Sequence, residues 1–274
     1  MHDARAELGE GPLWDRSAGL LRWLDITGRR LHAYDPAQGP QQPVELPMEV
    51  GAIVLSLDGG LVAATADGFA RVRDGELEPV VDVERGLPTH RMNDGGCDPA
   101  GRFWASTMDR TGAAGAGTLW RWNGEEEPVA VLRGLSIGNG LAFDRAGERM
   151  WFVDSPTRRV DLFDVTSDGE LTGRRTAAEL PDDVAGVPDG LALDDEGGVW
   201  VAVWGGWCVL RYDDRGTVTG RIDVPAEQVT SCAFSDDALW VTSAAVGVSG
   251  QPQAGGLFRC DPGVAGAPVP VFRG

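Results

Sequence analysis

One short phrase recurs six times along this chain, and the recurrence limits the possible folds more than any other property. The phrase is an apolar residue, an acidic turn, Gly or an equivalent, and then an apolar strand that often carries Trp. It reads LWDRSAGLLRWLD, LSLDGGLVAAT, GCDPAGRFWAST, AFDRAGERMWFVD, ALDDEGGVWVAV and AFSDDALWVTS. The anchoring acids are Asp15, Asp58, Asp98, Asp144, Asp194 and Asp236, separated by 43, 40, 46, 50 and 42 residues. A repeat of that length, rich in strand patterns, suits one four-stranded blade of a β-propeller. Between anchors, runs such as Arg30–Tyr34, Gly117–Trp122 and Val160–Asp164 alternate as half-buried strands do, and turn signals follow at Asp35-Pro36, Asn123-Gly124 and Asp168-Gly169. No stretch sustains helical periodicity, and a β-sandwich does not require equal repeats. The expectation is an all-β chain, a six-bladed β-propeller that occupies residues 1–274 as a single domain. Trp104, Trp151, Trp200 and Trp240 stand at similar offsets after their anchors, so they are expected to pack between blades. The segment before Glu10 is expected to complete a blade with C-terminal strands, its partner strand left open.

Composition narrows the partners. Of 274 residues 42% are hydrophobic, enough for one large buried core, and Gly and Pro are scattered among apolar runs as turn punctuation. The net charge is −18, and every basic side chain is Arg because the chain has no Lys. An acidic surface argues against nucleic acid and anionic membranes as partners. The missing Lys excludes Schiff-base chemistry and a phosphate-loop lysine. Nothing in the sequence reads as a transmembrane span or an apolar signal region, so a cytoplasmic location is expected. Cys97, Cys208, Cys232 and Cys260 lack close pairing or CxxC spacing, and are expected to be free buried thiols.

Aligning the six phrases exposes one column. Five residues before the anchors stand Glu10, Ile53, Asn93, Asn139, Asp189 and Ser231. Equivalent positions on the innermost strands of a propeller surround the central channel at one depth. The chain has three Asn, and two fall in this column. Asp and Asn at strand starts often just hydrogen-bond turns, but the shared register favours a common task. Carboxylates and amides gathered away from water need a counter-charge, and a cation supplies it. Glu10, Asn139 and Asp189 are each followed by Gly, which leaves room for close approach. Oxygen-only donors suit Ca²⁺, Mg²⁺ or Mn²⁺; Zn²⁺ and Fe²⁺ stay open because a three-ligand site with waters is permissive. His2, His32 and His90 are poorly placed for a zinc site, His90 lying in a loop before the site segment. Arg91 alternates to the same side as Asn93, where it could neutralise surplus carboxylate or grip substrate oxygen. Strict alternation turns Asp94 away from the channel, so a structural role and a substrate contact both stay open for it.

At these residues the sequence resembles the SMP-30/gluconolactonase family, which includes regucalcin and the bacterial aldonolactonases. The matching motifs are Leu8–Trp14, Arg91–Gly95, Gly138-Asn139-Gly140, Pro188-Asp189-Gly190, Thr230–Phe234 and Ala254–Phe258, which run from the first blade to the last. The segment Trp200–Gly206 is similar to the bacterial sugar-lactonase branch. The resemblance implies one divalent metal, Ca²⁺ first among the candidates, held by Glu10, Asn139 and Asp189, with Asp189 also the catalytic acid/base. It implies that Arg91 and Asn93 bind the sugar; Asp94 is carried with them as a candidate substrate contact on the reading of the residues alone. The family's additional acidic contact, shortly after Thr107-Met108, has no clean match in Asp109-Arg110-Thr111. Trp204 and Trp207 break the repeat's Trp pattern and are open between lining a sugar pocket and packing in the core.

The expected activity is hydrolysis of a small-molecule sugar lactone. The metal would polarise the carbonyl and steady the oxyanion, and Asp189 would move the proton. Serine nucleophilic catalysis does not fit, since no G-x-S-x-G motif is present and no His shares the ring with Ser231. A glycosidase would leave the amides unexplained. Two other readings are a hydrolase of another ester, such as an organophosphate, and a non-enzymatic propeller that binds Ca²⁺ or a partner protein. Which sugar, which ion and which oligomeric state the sequence does not specify.

Overall fold

The alternating segments fold as antiparallel strands joined by tight turns. The structure, a computed structural model, describes residues 1–73 and 75–274. Six antiparallel sheets follow one another along the chain. Their innermost strands are Gly9–Asp15, Val50–Leu55, His90–Cys97, Gly138–Phe143, Val187–Leu193 and Val229–Phe234. Each sheet grows outward from these strands by successive hairpins, the arrangement of a six-bladed β-propeller. The one helical element among the described residues is a single 3-10 turn, Ser155–Thr157. Among the described residues no helix is long and apolar enough to cross a membrane.

Alternation within the strands gives each sheet two apolar faces, and the six faces between neighbours become six separate cores. Val199, Val201 and Val203 face the fourth blade, whereas Trp200 and Ala202 on the same strand face the sixth. Trp104, Trp200 and Trp240 are buried between blades as the repeat implies, and Trp151 is half-buried against the fourth and fifth. Each of the three buried indoles also donates to the anchoring residue of its own blade. Trp104 Nε1 reaches Asp98 at 2.8 Å, Trp200 Nε1 reaches Asp194 at 2.9 Å, and Trp240 Nε1 reaches Ser235 Oγ at 3.1 Å. The repeated Asp-to-Trp spacing is thus a buried hydrogen bond that ties the first turn of a blade to its second strand.

That bond, and the backbone turn it accompanies, correct the alignment of two repeats. In the sixth blade the anchor is Ser235, and Asp236 is exposed and paired with Arg16. In the second blade Ser56 takes the anchor position, its N–H donating to Gly60 O at 2.9 Å as the Asp98 N–H donates to Arg102 O at 3.0 Å. Counting back five residues from the true anchors gives Glu10, Gly51, Asn93, Asn139, Asp189 and Thr230. Gly51 and Thr230 therefore replace Ile53 and Ser231 in the ring. Each innermost strand is also irregular at this level, with register shifts at or directly after the ring residue in all six blades.

The ends of the chain shape the ring. The last sheet has three strands of its own, and the N-terminus adds to its outer edge: His2 and Leu257 exchange backbone hydrogen bonds at 2.8 and 2.9 Å. The partner of the N-terminal segment is thus the Leu257–Cys260 strand. In the first blade the outer edge is two short pieces, Gly39–Pro40 and Val44–Glu45, both paired with Arg30–Asp35, because Pro40 and Pro43 lack the N–H groups a continuous strand needs. The C-terminal segment crosses the face where the innermost strands end. It bonds to Leu193 and Asp195, then to Leu55, Leu57 and Gly101, and buries Phe272 between the second and third blades, stacked 5.0 Å from Trp122.

Candidate active site

The ring residues lie at the opposite ends of the innermost strands, so the site opens on the face away from the C-terminal segment. Beneath it lies a cavity of about 140 Å³. Leu13, Ile53, Leu141 and Phe143 line its wall, Pro268 and Val269 of the tail form its floor, and Asp94 and Ser231 meet it from above. The ring thus stands at one end of a channel lined mostly by apolar residues.

The register shift between Met92 and Asp94 leaves Asn93 unpaired and breaks strict alternation. Asp94 accordingly lines the channel, which corrects the expectation that it turns away. The residues that follow the ring position in the other blades are Gly11, Ala52, Gly140, Gly190 and Ser231, so Asp94 extends into space that small side chains leave open. Two of these glycines are required by close strand approach. A Cβ on Gly140 would stand 2.4 Å from Leu191 N, and one on Gly190 would stand 2.1 Å from Ser231 Oγ and 2.8 Å from Ser231 Cα. The strand starts of the fourth, fifth and sixth blades are thereby drawn together around Asp189.

Three carboxyls share this buried space: Glu10, Asp94 and Asp189, each below 10% exposure. Burial pushes Glu10 up to about 8, and the neighbouring Asp94 adds to the effect, against the Gly11 N–H and Arg91. Burial pushes Asp94 up to about 7, partly opposed by the Gly95 N–H. Asp189 is raised well above the ordinary carboxyl range, first by burial and then by the charges of Glu10 and Asp94. Arg91, also buried, sits in the field of Glu10 and Asp189 and is lowered chiefly by burial. Its Nη1 donates to Asn93 Oδ1 at 2.8 Å and to its neighbour's carbonyl, Met92 O, at 2.9 Å. Asn93 Nδ2 donates to Asn139 Oδ1 and to Gly138 O, both at 2.9 Å. The two Asn side chains are thus in direct contact, and the three carboxyls feel one another.

The donor chemistry suits a hard divalent cation. Asp189 Oδ1 is buried with no hydrogen-bond partner, which is costly unless a positive group completes it. Asn139 Oδ1 has one lone pair taken by Asn93 and a second available. Among the described residues no three His, Cys, Asp or Glu side chains cluster as a ready-made cage, and the candidate set draws on an amide as well as carboxylates. His2 and His32 lie outside this set, His32 stacked on Trp23 and His2 edge-on to the same indole. His90 opens the third innermost strand rather than lying in a loop, and pairs with Glu84 at 2.7 Å. Thr230 closes the ring, its hydroxyl donating to Gly9 O at 2.5 Å.

The rim explains the mismatch after Met108. Asp109 accepts the Thr111 N–H at 2.6 Å and the Thr89 hydroxyl at 2.8 Å, so its carboxylate is occupied by its own turn and held below its ordinary value by the Thr111 bonds and then by Thr89. Arg110 is held by Glu49 and the carbonyls of Pro88 and His90. Trp207, at φ 59° in the tight turn after Trp204, is 41% exposed and so is not a core residue. Sequence reasoning missed Ser155, the buried hydroxyl that accepts Asn139 Nδ2 at 2.8 Å. Its one signal was the Asp-Ser-Pro turn that ends the second strand of the fourth blade.

A family profile described as the SMP-30/Gluconolactonase/LRE-like region matches residues 8–245. The chain belongs to the SMP-30/gluconolactonase family. The pentonolactonase XacC of Haloferax volcanii is 38% identical to it, with 99% of this chain and 96% of that protein covered. The L-arabinolactonase of Azospirillum brasilense is 34% identical over 99% of this chain and 94% of its own length. Among solved structures, a regucalcin from Agrobacterium tumefaciens, described as a calcium-binding protein, superposes with a TM-score of 0.92 at 30% identity, covering 99% of this chain and 95% of that one. This SMP-30/gluconolactonase chain is therefore similar over nearly its whole length to proteins named as lactonases, and over its whole fold to one described as calcium-binding.

Proposed function

We propose that this chain hydrolyses sugar lactones of the aldonolactone class with the help of one divalent cation, held by Glu10, Asn139 and Asp189. The observation that carries the reading is the orphaned Asp189 Oδ1, which feels the charges of the buried Glu10, Asp94 and Arg91. The names of the lactonase relatives support the substrate class, and the calcium-binding regucalcin supports Ca²⁺ as the first ion to test.

A divalent ion bound among these side chains supplies the positive charge that lets the carboxyls ionise near neutral pH and draws electron density from the lactone carbonyl. Asp189 takes a proton from the attacking water as its oxygen bonds to the carbonyl carbon. The bond from that carbon to the ring oxygen then breaks, and Asp189 returns the proton to the departing oxygen, leaving an open-chain hydroxy acid. Arg91 and Asn93 hold sugar oxygens through donors not spent on each other, which fixes the carbonyl's approach. Asp94, below Asn93, adds negative charge that strengthens cation binding and accepts a hydroxyl of a bound sugar.

A pH-indicator assay over several aldonolactones and a phosphotriester, with chelated and metal-restored protein and a buffer-only control, tests this. Metal-dependent lactone opening that disappears in Asp189→Asn, with the fold intact, is the expected result. Turnover unaffected by chelation or by that substitution removes the assignment, and faster turnover of the phosphotriester moves the substrate class.

A further inference from the structure

Both side-chain amides of the site belong to one hydrogen-bond chain, and each link in it has only one possible direction. The chain runs from Arg91 Nη1 to Asn93 Oδ1 at 2.8 Å, from Asn93 Nδ2 to Asn139 Oδ1 at 2.9 Å, and from Asn139 Nδ2 to Ser155 Oγ at 2.8 Å. All four residues are below 10% exposure, so water is a poor substitute partner. A guanidinium has donors and no acceptor, which obliges Asn93 to turn its oxygen toward Arg91. The Gly138 carbonyl can only accept, and it lies 2.9 Å from the other end of the same amide, so a second, independent constraint sets the same orientation. Asn93 then offers N–H to Asn139, and Asn139 must answer with oxygen. Its own NH₂ is left facing Ser155, the first residue of the 3-10 turn.

We propose that Ser155 is a positioning residue that, with Arg91 at the far end, locks the Asn139 amide so that its oxygen faces the cation site. The inference rests on the metal reading above. Ser155 touches no reacting atom. It is pinned by its own backbone, whose N–H donates to Ile137 O at 3.0 Å in the segment leading to Asn139, so the hydroxyl and the amide it receives are held in one frame. Without that hydroxyl the buried NH₂ has no acceptor, and the amide loses the contact behind it that resists rotation. Groups that orient a metal ligand from behind typically contribute about 10- to 100-fold in metal affinity.

Calcium and manganese titrations of the full-length protein by calorimetry, with the metal-free melting curve of each variant alongside, test the assignment. Ser155→Ala is expected to raise Kd about 10- to 100-fold. Thr157→Ala removes a different bond of the same turn, Thr157 Oγ1 to Asp154 O at 2.7 Å, and is expected to leave Kd within about twofold. In an Asn139→Asp background both terminal atoms are acceptors, no orientation has to be selected, and adding Ser155→Ala should change Kd by no more than about twofold. Wild-type affinity in Ser155→Ala, equal losses in Thr157→Ala, or a Ser155→Ala penalty undiminished in the Asn139→Asp background each overturns the proposal. A wild-type protein that binds neither ion overturns the metal reading itself, which separates the two failures.

Discussion

Raising the pH of the metal-free protein should weaken it, and adding a divalent ion should restore what is lost. Glu10 ordinarily titrates at 4.5 and stands at about 8 in the fold, while Asp94 moves from 3.8 to about 7. A carboxyl with a raised folded pKa keeps a proton that the unfolded chain releases. Its contribution to stability is therefore complete below the unfolded value and is lost as pH climbs through the folded one. For Glu10 the displacement of about 3.5 units corresponds to about 5 kcal/mol at full ionisation, at about 1.4 kcal/mol per unit. About 3 kcal/mol of that loss falls between about pH 5.5 and 8.5, so at about 2–4 °C per kcal/mol for a chain of this size the melting temperature should fall by about 6–12 °C. Exposed carboxylates are already charged across that window. His2 and His32 are lowered by burial, so their contribution is present above their unfolded value and disappears as pH falls, the opposite direction. Thermal melts in chelator and in excess Ca²⁺ or Mn²⁺ across this range check the reasoning. A metal-free melting temperature that stays flat or rises, or a metal-induced gain no larger at the top of the range than at the bottom, refutes it. Asp94→Asn should flatten the metal-free slope, because it removes one of the three mutually opposed charges.

Two substitutions probe the scaffold. Phe272→Ala should destabilise the protein by about 3–5 kcal/mol, read by chemical denaturation, because it empties a fully buried site where the ring stacks on Trp122 and meets Phe103 edge-on, and loosens the tail that floors the channel. Gly190→Ala should cost about 1–3 kcal/mol and lower lactone turnover more than Phe272→Ala does, since its Cβ can be accommodated only by moving the Asp189 strand away from Ser231.

Blade number and order were legible because the repeat encodes a turn that opens each blade, and in three blades an indole donates to that turn residue. The same fact explains the two errors of register. Ser56 and Ser235 do the work of Asp in their blades, and the nearby Asp58 and Asp236 offered a more familiar letter at the wrong position. Glu10, Asn93, Asn139 and Asp189 survive the correction because their own anchors are true acids. Asp94 could not be oriented from alternation, since the shift that turns it inward is a feature of how Asn93 sits against Thr107 and Ser106, not of residue type. Ser155 was hidden for a different reason. It reaches Asn139 from the far end of the next strand, and a column drawn through six innermost strands never crosses it. Closure was half visible: the need for an N-terminal strand was clear, its partner was not, because a single exchange between His2 and Leu257 leaves no periodic trace.

That exchange couples the first residues to nearly the last. A ribosome must deliver the sixth blade before the waiting N-terminal strand has an edge to join, so five blades are made while the circle is still open and the outermost faces at the gap stay wet. Bringing two ends so far apart in sequence together carries a loop-closure entropy that rises slowly with length but comes late. Maturation of the channel, and of any ion held inside it, is thereby tied to the last step of assembly.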